Sequence, residues 1–466
     1  MISISAKDEH FREEVQKGSI WKVVFKVCLP LALYSWISQL FMVLDTLMAS
    51  GISAEAVSTV VYMVQLQHIV RAIGSGLSVG GGIMIAHAYG KGDAERIKTI
   101  LSTTIMLCLI LSVLILLILP FTPAILRITG TPEVFISLGS TYFSVTLIGI
   151  VIEFFNAIYI SNERCRGNSR KILFLNLATV AVKLGLTAFF VYVMKGDIVS
   201  IAAASLISYF VIFSYAISSF LKKDDAFSYS TRYVHFSGLL SSILKLSVPS
   251  MVEKIAFASG KAMVNKMASG YGTEIVGAAG ISNNMSGLLT GIHIGFEDGG
   301  SSLEGQLYGS YNIERMVKVY RHIQLVVFMI GLVGFFIMKI LTDPIARVFS
   351  ISRGGYDPVF HQNICELFHY ELLGCILLSF AYSSFALLLG LGRTKTILAV
   401  NFARIFIFRL PVIYFFQNFT SMGFEAVGYT MAISNSLVGI LAFIAGETVI
   451  ATEKKKAAKR AEKRYT

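Results

Sequence analysis

The chain contains itself twice. Displaced by 219 residues, Lys26–Arg96 falls on Lys245–Arg315 without a gap. Pro30 meets Pro249, and Met48-Ala49-Ser50-Gly51 meets Met267-Ala268-Ser269-Gly270. Gly76 then meets Gly295, Gly80-Gly81 meets Gly299-Gly300, Tyr89-Gly90 meets Tyr308-Gly309, and Glu95-Arg96 meets Glu314-Arg315. Sixteen of the 71 aligned positions are identical, against a chance level of roughly one in fifteen for average usage. Whatever the first half folds into, the second half folds into as well. The matched segments are long and apolar, so the repeated unit is a bundle of membrane helices.

Hydrophobic residues make up 55% of the chain and charged residues 15%, with a mean hydropathy of +0.69. A soluble chain of this length carries more charge. Apolar runs recur from end to end, each long enough to cross about 30 Å of hydrocarbon. They predict twelve spans, near residues 20–49, 56–88, 96–125, 134–161, 170–194 and 197–221, then 238–269, 275–308, 316–347, 360–391, 395–419 and 422–452. The expected fold is therefore an all-α polytopic membrane protein, with twelve transmembrane helices in two six-helix lobes related by pseudo-two-fold symmetry. An even number of spans per half makes the repeats parallel, related by an axis along the membrane normal, which is a plan of alternating-access transporters. The expected lobes are Met1–Leu221 and Lys222–Thr466, with a charged linker over 222–237 and a basic tail over 453–466.

The net charge of +12 is distributed by topology rather than gathered into a nucleic-acid surface. With the N-terminus placed in the cytoplasm, the inner segments hold 26 basic residues, among them Lys7, Lys91, Arg166, Lys222 and seven in the tail. The outer segments hold three: Arg127, Lys195 and Arg353. The positive-inside rule then predicts a multi-pass protein of the plasma (inner) membrane with both termini cytoplasmic, and the tail reads as a topogenic and lipid-headgroup anchor. Met1–Lys17 is polar, so no cleavable signal peptide is expected. The five cysteines form no CxxC pair and are expected to be free thiols. No nucleophile–base arrangement, phosphate loop or zinc signature stands out, and His87, His293, His361 and His369 form no metal-spaced cluster. The expected partners are membrane lipids and a small-molecule substrate, with no nucleic acid, no resident cofactor or metal, and a monomeric chain.

Gly74, Gly76, Gly80, Gly81 and Gly82, and the partner run Gly291, Gly295, Gly299 and Gly300, stand at near-helical spacing in the second and eighth spans. Small residues so spaced allow close helix packing and also offer a bending site.

The pattern Pro30…Gln39…Asp45-Thr46…Gly51, followed by Gly76…Gly80-Gly81…Tyr89-Gly90…Arg96, resembles the multidrug and toxic compound extrusion (MATE) family. So do the second copy, Pro249…Gly295…Gly305-Gln306…Gly309…Arg315, the Arg166-Gly167 turn and Arg409-Leu410-Pro411. The resemblance implies a two-lobe, twelve-helix antiporter that expels amphipathic compounds at the expense of a proton or sodium gradient. It also implies that Asp45 matches the first-span acid used for ion coupling. The chain departs from the family pattern elsewhere. Lys183 stands where many members carry Asn, and Thr187 where they carry Asp. Phe257 occupies the seventh-span acid position of one branch, with Glu253 a turn early. The tenth-span acid position falls near Leu377, with Glu371 the nearest carboxylate.

Ionisable residues at the bilayer centre cost about 2.5–3.5 kcal/mol each on insertion scales, so each requires an inward-facing partner or water. In the N-lobe, Asp45, Arg71, Glu153 and Lys183 are the ion-coupling candidates, with Asp45 and Lys183 expected to form either a switchable pair or a fixed one. The C-lobe candidates are Glu253, Lys254, Lys261, Glu297, Asp298, Glu304, Glu371, Arg404 and Arg409. Tyr34, Gln39, Met63, Phe257 and Met285 are expected to join Glu253, Lys254, Lys261, Glu297, Asp298, Glu371 and Arg404 around a greasy substrate cavity. The leading expectation is a cation-coupled antiporter exporting small amphipathic compounds. The alternative is a flippase for lipid-linked or anionic precursors, and a polytopic membrane enzyme or sensor comes last.

Overall fold

A computed structural model gives the fold. It describes residues 3–49, 54–128, 131, 133–222, 225–352 and 355–465, and within these the side chains of 41–62 and a few others are left aside. A short helix α1 (Ala6–Lys17) comes first. Long helices follow: α2 (Ile20–Ala49), α3 (Ala54–Lys91), α4 (Ala94–Ile118), the short α5 (Thr122–Ile128), α6 (Glu133–Cys165), α7 (Ser169–Ala188) and α8 (Ile198–Phe220). The second series is α9 (Leu239–Ala268), α10 (Thr273–Gly309), α11 (Ile313–Phe349), α12 (Pro358–Gly390), α13 (Thr394–Phe406), α14 (Leu410–Phe419) and α15 (Glu425–Tyr465). With α13 and α14 counted as one broken span, these supply six long segments per half, as the hydropathy predicts.

Among the described residues, ten helices are long and apolar enough to cross a membrane, and α9 and α10 fall short. In α9 the reason is charge, since Lys245, Glu253, Lys254, Lys261 and Lys266 are spread along it; in α10 the stretch between Glu274 and Glu297 is uncharged but is diluted by Ser282, Asn283, Asn284, Ser286 and glycines. The eleventh span is not continuous. Pro411 lacks an N–H to continue the ladder and its ring excludes the preceding turn, so α13 ends at Phe406 and α14 restarts at Leu410. Polar Met1–Lys17 is also structured: in α1, Asp8, Phe11 and Val15 are buried at helical spacing.

The repeat returns in the turn chemistry. Gly92 adopts a left-handed conformation (φ 77°) and is followed by Asp93, whose side chain caps α4 by accepting from the Arg96 amide. At the displaced positions, Tyr311 takes the same region (φ 61°) and Asn312 caps α11 by accepting from the Arg315 amide. Each cap satisfies an amide that the first helical turn leaves without a partner.

Two compact units result. Unit 1 comprises Met1–Val15 and Leu40–Ile255, and unit 2 comprises Gln16–Gln39 and Ala256–Thr466. In unit 1, α6 packs against α3 and α8; in unit 2, α12 packs against α10, α11 and α15. The largest part of the unit 2 core gathers Met285, Met338, Phe368, Leu372 and Ile413. The boundaries cut α2 and α9, so each of these helices contributes to both units.

The glycine runs explain the cuts. Within unit 1, a methyl group on Gly80 would meet the backbone of α9, 3.0 Å from the Ser247 nitrogen. Within unit 2, a methyl on Gly299 would meet the backbone of α2, 3.0 Å from Cys28 Cα. Positions 80 and 299 are repeat mates, and so are 28 and 247. Gly76 against Met251 and Gly295 against Ala32 form a second matched pair. The same backbone seam is built twice, once in each unit.

Candidate functional site

In unit 1, α3 and α6 bring two predicted residues together. Arg71 Nε donates to Glu153 Oε2 at 2.9 Å, and Arg71 Nη1 donates to Gln67 Oε1 at 3.0 Å. The Tyr209 hydroxyl of α8 hydrogen-bonds with both Arg71 and Glu153. Both charged side chains remain about 30% exposed. This is an ionic network spanning three helices. The Asp45 side chain lies outside the described residues. Lys183, on α7, is half-buried. Met63 is fully buried. Lys254 donates to Ser75 Oγ at 2.9 Å, so it engages α3 of unit 1, and Glu253 is its half-buried neighbour in that unit.

At one end of unit 1, the Arg166-Gly167 turn ties α1 down. Arg166 lies 2.9 Å from Asp8, 3.5 Å from Glu163 and 3.6 Å from Asp225, and its guanidinium covers the Phe227 ring. Burial works against its charge, but the hydrogen bond to Asp8 and the charges of Asp8, Glu163 and Asp225 outweigh that and hold its pKa above the ordinary arginine value.

Unit 2 assembles a different site around α9, α12, α13 and α15. Glu371, 5% exposed, accepts from Ser282 Oγ at 2.6 Å. Arg404 donates to Asn435 Oδ1 at 2.6 Å. Arg409, placed at the break between α13 and α14, donates to Ser434 Oγ at 3.0 Å and to Asn435 Oδ1 at 3.2 Å. Lys261 lies within electrostatic reach of Arg404, Arg409 and Glu371. The Phe257 ring carries Lys261 at 5.7 Å and Arg404 at 5.3 Å. The cluster thus sets three cations and an aromatic face against one carboxylate.

The remaining candidates disperse. Glu297 lies near Tyr382, and Asp298 near Cys28. Met285 is packed in the unit 2 core. Gln39 rests on α10, where a methyl on Gly287 would lie 3.2 Å from its Oε1. Tyr34 is half-buried on the same stretch of α2. Near it, Trp21, Phe25, Leu33, Phe296 and Met329 line an apolar groove of about 1060 Å³ formed by α2, α10 and α11.

Glu304 stands out among the acids. Its side chain is wholly buried, and among the described residues neither carboxyl oxygen has a hydrogen-bond partner. Gly390 of α12 packs on its Cβ, and Cys28 and Tyr320 are its titratable neighbours from α2 and α11. The repeat mate of Glu304 is Ile85, buried to the same degree. A carboxyl group therefore occupies a position that packing alone fills with a hydrocarbon.

Comparison with known proteins places this architecture. A model of the MatE family matches residues 30–189 and 249–415, the two repeats. The chain belongs to the MatE family. Its relatives within and around the family include the probable multidrug resistance protein YoeA of Bacillus subtilis, 22% identical over 78% of this chain and 80% of that protein. The probable multidrug resistance protein NorM of Thermotoga maritima is 23% identical over 94% of both chains. Among solved structures, an outward-facing multidrug resistance MATE transporter superposes with a TM-score of 0.89 at 21% identity, over 97% of this chain and 99% of that one. A transporter of the MOP superfamily from Pyrococcus furiosus, described as having a binding pocket of reversed polarity, gives 0.88 at 21% identity over the same shares. The twelve-helix, two-lobe MATE fold accounts for both repeats of this MatE protein.

Proposed function

We propose that this MatE protein is a cation-coupled exporter of small amphipathic compounds that works by alternating access, a secondary transporter rather than an enzyme. The positive-inside distribution of charge supports a reading in which both termini are cytoplasmic. The observation that carries the coupling is Glu304: a carboxylate with no partner in a wholly buried site is costly, whereas the same group holding a proton or facing a cation is tolerated. Such a group changes state only when its surroundings open, which is the behaviour required of a coupling site. Linkage then demands that ion and cargo favour different conformations. The printed names of the relatives, multidrug resistance and multidrug export proteins, support the cargo class.

The Lys261–Arg404–Arg409 cluster favours a second reading of the cargo. Three cations over one carboxylate, with an aromatic face and an apolar groove in the same unit, suit an amphipathic anion, including a lipid-linked precursor.

The test is efflux from proteoliposomes with a proton or a sodium gradient imposed separately, using one fluorescent organic cation and one fluorescent amphipathic anion. Efflux driven by one of the gradients is expected, and Glu304→Gln is expected to fold normally yet lose the dependence on that gradient. Retained uphill efflux in Glu304→Gln moves coupling to Asp45, tested by Asp45→Asn. Uphill efflux surviving both changes refutes the carboxylate assignment. Transport of the anion but not the cation selects the second reading of cargo.

A further inference from the structure

A group of potential metal donors lies where α11 gives way to α12. His361 and Cys365 are four residues apart on α12, so they lie one above the other on one helix face. Asp343 reaches them from the last turns of α11. His361 Nε2 is 3.3 Å from Asp343 Oδ1 and 3.6 Å from Cys365 Sγ, and the three donor atoms all lie within 4.8 Å of one another. Tetrahedral zinc, with bonds of about 2.0 Å to nitrogen and oxygen and about 2.3 Å to sulfur, spaces its donors roughly 3.3–3.6 Å apart. The two separations that involve His361 already have those values.

The outer partners fit as well. The other ring nitrogen of His361, Nδ1, stands 2.9 Å from the Tyr356 hydroxyl. A ligating histidine characteristically has its second nitrogen held in this way, which settles its tautomer and ring orientation. Tyr356 belongs to the small hairpin of Ile351–Ser352 and Gly355–Tyr356 that joins the two helices. Asp343 is largely exposed, while His361 and Cys365 are half-buried, so solvent reaches the group and the donors are not locked in the core. One imidazole, one thiolate and one carboxylate suit zinc-class ions and not magnesium or calcium, which take oxygen donors.

We propose that Asp343, His361 and Cys365 bind a zinc-class divalent transition metal, with Tyr356 orienting His361 and the fourth position left to water. The bound ion would fasten the end of α11, the hairpin and the start of α12 to one another. Histidine spacing alone does not reveal the group, because the second donor on α12 is a cysteine and the carboxylate lies 18 residues upstream.

Cobalt(II) titration of the purified full-length protein in detergent tests the site directly, since thiolate-to-cobalt charge transfer appears in the near ultraviolet. One equivalent of cobalt is expected to produce that band, zinc to abolish it by displacement, and Cys365→Ser or His361→Ala to prevent it. Tyr356→Phe is expected to weaken binding by about 10- to 100-fold. Absence of the band in the wild-type protein, or a band that persists in Cys365→Ser, overturns the proposal. Where the cysteine variant does not fold, maleimide labelling of Cys365 in the wild-type chain serves instead. Zinc is expected to slow that labelling in the wild type but not in His361→Ala, and equal labelling with and without zinc overturns the proposal too.

Discussion

At the residue scale, Arg71 and Glu153 are membrane charges with partners, whereas the Glu304 carboxyl has no hydrogen-bond partner among the described residues. Arg71 and Glu153 lie 82 positions apart in the chain, and both are legible in the sequence as costly charges. That they pair with each other, with Gln67 and Tyr209 completing the network, depends on which faces of α3, α6 and α8 meet. Composition does not encode that. Arg409 was legible as an intramembrane cation, but its burial at a helix break follows from Pro411 and from Ser434 and Asn435 on another helix. The Arg71–Glu153 pair yields a graded prediction. Removing one partner of a fully buried pair costs about 3–5 kcal/mol, but these side chains are about 30% exposed. Glu153→Gln is therefore expected to cost about 1–3 kcal/mol, the range for a lost charge-assisted hydrogen bond. The double variant Arg71→Met/Glu153→Leu is expected to recover most of it, as a neutral pair leaves no charge behind. Thermal unfolding of the wild type and the two variants in one detergent checks this; a double variant no better than Glu153→Gln would show that the pair does not act as a unit.

At the scale of elements, the long helices were legible because an apolar run of span length has few alternatives in a membrane. What escaped was local. The break between α13 and α14 needed the weight of one proline to be set against an otherwise continuous apolar run, and α1 was hidden by its polarity although Asp8, Phe11 and Val15 mark one face. The glycines were legible as a packing seam, but their partners were not, since α9 and α2 reach them from the other half of the sequence. The duplicated seam gives a matched expectation. At Gly80 and Gly299, added methyl groups meet backbone atoms of Ser247 and Cys28 at 3.0 Å, which cannot yield as a flexible side chain does. Gly80→Val and Gly299→Val are each expected to destabilise by about 1–3 kcal/mol, the cost of overpacking, and to do so equally within about 1 kcal/mol. A much larger cost at one site would show that the two seams differ in rigidity despite their shared sequence. Both variants are read by melting temperature.

At the scale of the whole molecule, charge and length together make an argument about orientation. Helix α15 runs for 41 residues, about 62 Å at 1.5 Å per residue, roughly twice the thickness of the hydrocarbon core. Its apolar part comes first, so the helix continues well beyond the membrane, and that continuation carries Lys454, Lys455, Lys456, Lys459, Arg460, Lys463 and Arg464. The continuation is anchored where it begins: Glu453 accepts from Arg393 at 2.8 Å and from Lys456 at 2.8 Å. Arg393 belongs to the turn between α12 and α13, one of the basic loops that the positive-inside rule assigns to the cytoplasm. Tail and loop are thus on one side of the membrane by direct contact, and the charge asymmetry predicts that this side is the cytoplasmic one. A green fluorescent protein fused after Thr466 is expected to fluoresce, and alkaline phosphatase fused there to remain inactive, because the first folds in the cytoplasm and the second requires export. Phosphatase activity at the C-terminus would invert the topology and move the apparent coupling side of Glu304 with it. Exchanging the seven tail cations for glutamine is expected to leave this orientation intact, since the other basic segments on the same side still outnumber the three cations opposite. A change of orientation in that variant would make the tail itself the determinant.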